Sequence, residues 1–157
     1  MRPVIVLLCS FLAAGSAAGG PPRVTPPVTA ALSKETASDM KALAAVDSFA
    51  VGGVGVAGTI SRGEELTRAI AARPDAIAAF EQVATGKNPA ARVYAYWALR
   101  ELDPDPKRVD RHWTRLRVDR ALVPAFSGCM RYESTVAKLV GEIANGQRTA
   151  LGRRKDR

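Results

Sequence analysis

Histidine occurs once and cysteine twice in the 157 residues, and aromatic residues make up only 6%. With His112 as the sole histidine, no metal site or cofactor is read from the chain. Cys9 lies in an apolar N-terminal run expected to be removed, so Cys129 is left as a lone thiol and an intramolecular disulfide is excluded. There is no Gly-x-Ser-x-Gly elbow, and residues 103–107 lack the glycine and distal glutamate of a calcium loop. No segment alternates apolar and polar residues convincingly, which argues against strands. No internal repeat is regular.

The N-terminus carries the clearest pattern. Arg2 supplies a positive charge, and residues 4–14 follow as an uncharged apolar run of 11 residues. That is too short for a membrane span, which needs roughly 20 apolar residues. Gly15, Ser16, Ala17 and Ala18 then offer small side chains for cleavage after Ala18 or after Ser16. Residues 1–18 are expected to be a signal peptide, and the protein to be exported to the periplasm or secreted. The alternative is an uncleaved membrane anchor, since including residues 15–20 lengthens the uncharged run to 17. Leu8 before Cys9, and the early position of that cysteine, fit a lipoprotein poorly. Residues 19–32 are rich in proline and glycine and read as a linker, residues 33–147 as a helical domain, and residues 148–157 as a basic tail.

The net charge of +8 is concentrated in two segments. Between Lys107 and Arg120 stand Lys107, Arg108, Arg111, Arg115, Arg117 and Arg120 against Asp110 and Asp119. The tail sets Arg148, Arg153, Arg154, Lys155 and Arg157 against Asp156. Such clusters suit anionic surfaces, and export counts against nucleic acid. The competing reading is a solvated helix face.

The rest of the chain repeats at helical periods, so the fold class is expected to be all-α. Ser33 can cap a helix reaching about Ala50. Ser61 followed by Glu64 forms a capping box before Leu66, Ala69 and Ile70. Residues 73–75 break that helix, and the next places Ile77, Phe80, Val83 and Ala84 together before Gly86. Asn88 before Pro89 starts a helix holding Val93, Tyr94, Trp97 and Ala98. Val109, Trp113 and Leu116 define one face of the following helix, with Arg108, Arg111 and Arg115 along a neighbouring stripe. Residues 121–130 show no clear period and read as loop or a short extended piece. A last helix from about Ser134 aligns Val136, Leu139, Val140 and Ile143 and ends at Asn145-Gly146. Short helices with tight turns suit antiparallel hairpins of the HEAT or armadillo kind, and residues 88–99 resemble a single HEAT-type helix. An irregular helical bundle is the alternative.

Gly53, Gly55 and Gly58 satisfy the Gly-x-Gly-x-x-Gly spacing of a dinucleotide site. The context does not: the helix starts only at Ser61, and Asp75 falls in a helix break instead of at a strand end. The preferred reading is structural, with glycines allowing positive φ and close backbone packing. The alternative is an anion held by loop amides and the following helix N-terminus. Phe49-Ala50-Val51-Gly52-Gly53-Val54-Gly55-Val56-Ala57-Gly58-Thr59-Ile60-Ser61, with Glu64, Arg92-Val93-Tyr94-Ala95 and Ser127-Gly128-Cys129, resembles a set of small uncharacterised exported bacterial proteins. The resemblance covers about residues 45–146 and implies a coherent domain with an unusual glycine loop.

Two functions are expected in order of preference. The first is a non-catalytic exported helical module that binds a protein or an anionic envelope surface through Lys107, Arg108, Arg111, Arg115 and the tail, with peripheral membrane contact. The second is a small envelope enzyme whose site joins the glycine loop, Gly53, Gly55, Gly58 and Ser61, to Cys129 as a candidate reactive thiol. The burial habit of lone cysteines favours an inert Cys129. His112, set among arginines, is expected at the surface. Tyr94, Tyr96 and Trp97 are expected in the core.

Overall fold

Hydrogen-bonding side chains mark where the helices start in the computed structural model, which describes residues 31–55 and 57–147. The signal peptide, nearly all of the linker and the basic tail lie outside those residues. Helix α1 (Lys34–Leu43) is capped by Ser33, whose Oγ accepts from Thr36 N. Helix α2 (Arg62–Ala71) is capped by Ser61 in the same way, through Glu64 N. Helix α4 (Pro89–Leu102) has Asn88 as cap and Pro89 in its first turn, where the absent amide leaves nothing unbonded. Helix α5 (Pro106–Leu116) repeats that arrangement with Asp105 and Pro106. Helix α3 (Ala76–Ala84) follows Asp75, and α6 (Val136–Ala144) follows Thr135.

Asp75 makes no cap bond of its own. Its carboxylate instead accepts from Ser33 N and Thr36 Oγ1, both at 2.9 Å, and so fastens the start of α1 to the α2–α3 turn. Those donors, the Ser33 amide foremost, hold its pKa below the usual carboxylate range although burial opposes them. Arg73 and Asp39 pair at 2.6 Å alongside.

Helix α4 is apolar nearly all round, with residues 93–99 all buried, and it forms the axis of the core. It packs against α2, α3, α5, α6 and the first strand. Tyr94, Tyr96 and Trp97 are inside as expected, and the Tyr94 ring lies 4.7 Å from Phe49 and 6.5 Å from Trp97 between centroids.

The expected fold class and the expected run of the first helix to about Ala50 are both corrected. The fold is mainly helical and not all-α, because β1 (Leu122–Ser127) and β2 (Met130–Thr135) form an antiparallel hairpin. Burial alternates along β1, with Val123 and Ala125 inside, but hydropathy does not, because Leu122, Pro124 and Phe126 occupy the other face. Pro124 is tolerated because its position faces the outer edge, where its carbonyl accepts from Phe49 N at 2.8 Å and no amide is needed. Phe126 N returns a bond to Phe49 O at 3.0 Å. These two bonds also explain why α1 stops at Leu43: the chain must extend by Phe49 to meet β1. Among the described residues no helix is long and apolar enough to cross a membrane.

Candidate functional site

Residues 50–55 and 57–61 turn back on themselves around the glycines. Gly52, Gly55 and Gly58 adopt positive φ, at 86°, 71° and 61°. Gly53 is there for proximity, since a Cβ on it would lie 3.1 Å from Gly58 Cα. Val54 and Thr59 exchange backbone bonds of 2.8 and 3.1 Å, and α2 opens only at Arg62, after the motif. The amides of Ala50, Gly52, Val54, Gly55, Gly58 and Thr59 are all spent on protein acceptors. Those six amides are not available to an anion.

The loop is latched to the core by Tyr94 and Glu64. Tyr94 OH accepts from Ala50 N and donates to Ala50 O, each at 2.8 Å, and Ser61 Oγ sits 2.9 Å from it. Burial, before any neighbouring charge, pushes the Tyr94 pKa up, so the phenol keeps its proton and its role as donor. Glu64, only 1% exposed, does not complete the capping box. Its carboxylate accepts from Gly52 N at 2.7 Å and pairs with Arg68 at 2.7 Å. Ser61 Oγ also donates to Ala50 O at 2.8 Å, so this hydroxyl is engaged in capping and latching, with no base beside it.

The hairpin tip stands next to the loop. Gly55 N donates to Gly128 O at 3.2 Å, and an open cleft of about 310 Å³ lies between Gly52, Ser127, Gly128 and Glu142. Cys129 is exposed at this tip, contrary to the burial habit of lone cysteines, because a two-residue turn with Gly128 at positive φ projects it outward. The structure thus brings Cys129 near Gly55 but not to His112.

His112 is the second correction to a surface expectation, being 9% exposed. It lies one turn before Leu116 on the core face of α5, with Nε2 3.9 Å from Glu81 Oε1 of α3. Burial first and then the Arg115 guanidinium hold the imidazole below its usual pKa, outweighing the Glu81 carboxylate. The unfolded chain therefore binds more protons once the pH drops below about 6.5. Stability should be full above that value and fall as the pH is lowered toward the depressed folded value. Denaturant midpoints at about pH 7.5 and about pH 5.5 should show the drop, and His112→Gln should flatten it.

The basic stripe of α5 divides into two sets. Arg108 pairs with Asp103 at 3.1 Å and lies 3.8 Å from Glu81, and Arg115 donates to Ala84 O at the end of α3. Both serve to dock α5 on α3. Lys107 and Arg111 are exposed and enter no ion pair among the described residues. Arg117 and Arg120 beyond the helix end are likewise exposed and unpaired there, whereas Asp119 is taken by Arg92 at 2.7 Å. Val118 and Leu122, 68% and 60% exposed, are neighbours in sequence of Arg117 and Arg120. Helical periodicity does not reveal these two positions, because α5 ends at Leu116 and both lie past it.

Comparison with protein families, with curated proteins and with solved structures yields no match for this chain.

Proposed function

We propose that residues 33–147 are a non-catalytic exported module that docks on an anionic envelope surface through Lys107, Arg111, Arg117 and Arg120. The observation that carries this reading is the division of charge. Arg92, Arg108 and Arg115 find carboxylates or carbonyls, while these four are exposed and enter no ion pair among the described residues, and Arg117 and Arg120 flank exposed Val118 in sequence. Anionic headgroups attract each such cation by about 1 kcal/mol, and the apolar pair can enter the headgroup boundary. Export through residues 1–18 and addition of the tail cations belong to the same proposal, in keeping with the likeness to small exported bacterial proteins. The finer fold reading, a HEAT-type hairpin of α3 and α4, is also a proposal and rests on the four-residue link between them.

Co-sedimentation of the purified chain with anionic phospholipid vesicles and with insoluble wall polymer tests the reading. Binding should be strong at low salt and fall steeply as the Debye length shortens to about 10 Å near 0.1 M. Equal binding to uncharged vesicles, or none to either anionic material at low salt, would overturn it. The enzyme alternative has one observation in its favour, the exposed Cys129 beside an open cleft. Against it stands Ser61, whose hydroxyl is bonded into the latch.

A further inference from the structure

Among the described residues, one edge of the β-hairpin meets no backbone partner. Along β1, Pro124 O and Phe126 N point away from β2, since both bond to Phe49. In an antiparallel ladder inward- and outward-facing residues alternate in step on the two strands. Their cross-strand partners Glu133 and Arg131 must then direct their own amides and carbonyls away from β1, on the opposite side. Among the described residues no backbone group meets them there, and both residues are exposed.

The geometry points to a second copy of this chain as the occupant of that edge, in an antiparallel β2-to-β2 pairing with its two-fold axis at Tyr132. Only three nearby registers bring outward-facing residues of both copies opposite one another. One places Arg131 against Arg131, and another places Glu133 against Glu133, so each sets like charges directly opposite. The third sets Arg131 of each copy against Glu133 of the other, twice, around the axis. It also completes roughly four backbone hydrogen bonds. A row of lysines on an edge repels every copy in every register. Alternating Arg and Glu disfavours two registers and selects one, and an isologous contact needs this kind of self-complementarity. In the selected register Met130, 73% exposed, comes opposite Ser134 of the second copy and loses part of that exposure. The inference is independent of the basic surface, which lies on α5 and the start of β1.

Sedimentation equilibrium of the full chain, with reductant present so that Cys129 cannot link copies, provides the test. The wild type should show a reversible monomer–dimer equilibrium. Arg131→Glu and Glu133→Arg, each alone, should weaken it by about tenfold or more, because both cross-axis pairs become repulsive. Mixing the two single variants should recover a mixed dimer, and the double swap Arg131→Glu/Glu133→Arg should recover the homodimer. Circular dichroism of each variant should match the wild type, since both side chains are at the surface. A chain that stays monomeric up to about 1 mM, where even millimolar affinity would register, would overturn the proposal. So would a dimer indifferent to the single swaps, or one that the double swap fails to restore.

Discussion

Alanine in place of Gly63 should destabilise the domain by about 3 kcal/mol or more, the sum of overpacking and broken buried hydrogen bonds. A Cβ at this position would lie 2.3 Å from Tyr94 Cε2, 2.5 Å from Cζ and 2.7 Å from the hydroxyl oxygen. The neighbour cannot yield easily, because Tyr94 is fully buried between Phe49 and Trp97. Its hydroxyl is also the hub that satisfies Ala50 and meets Ser61. Displacing the ring would leave the Ala50 amide without its acceptor and loosen the glycine loop. In a domain of this size the loss corresponds to roughly 15 °C in Tm. Gly141 in α6 supplies the control, for nothing lies within 4 Å of a Cβ built there. Alanine at 141 should stabilise the helix by about 0.5–1 kcal/mol. Thermal and denaturant unfolding of the two variants should therefore move in opposite directions, and an unchanged midpoint for Gly63→Ala would contradict the latch.

The contrast between these glycines shows which parts of the fold were legible in the sequence. Helix starts were, because a cap is a local event: Ser33, Ser61 and Asn88 each accept the amide three residues on, as their positions imply. The aromatic core of α4 was legible for the same reason, since its period is contained in one segment. What escaped were features decided by distant partners. Glu64 sits at the capping-box position but is drawn to Gly52 N, and Asp75 leaves its own helix to bind α1. The hairpin was hidden because the outer face of β1 is also apolar, and the other edge of β1 is paired by Phe49, over 70 residues away in sequence. His112 was misplaced by its arginine neighbours, although its spacing from Val109 and Leu116 already put it on the core face. Sequence singled out the basic segment of the candidate site but could not sort its cations. That sorting depends on where Asp103, Glu81 and the end of α3 fall in space.

The sorting itself makes the strongest functional prediction. Reversing Lys107, Arg111 and Arg120 together to glutamate should lower binding to anionic vesicles by at least about a thousandfold. Each cation near such a surface contributes about 1 kcal/mol, and reversal turns attraction into repulsion of similar size. The same triple variant should unfold near the wild-type midpoint, because surface changes away from structural partners stay within about 0.5 kcal/mol each. Arg108→Ala should behave in the opposite manner. The Asp103 side chain is 1% exposed and would lose its 3.1 Å ion-pair partner, at a cost of about 2–3 kcal/mol in stability. Vesicle binding by the folded fraction should change by less than about tenfold, since only one charge, already paired with Asp103, is removed. Measuring unfolding and vesicle partition on both variants separates the two roles. If Arg108→Ala abolished binding while the triple reversal left it intact, the division of the stripe into docking and structural cations would be wrong.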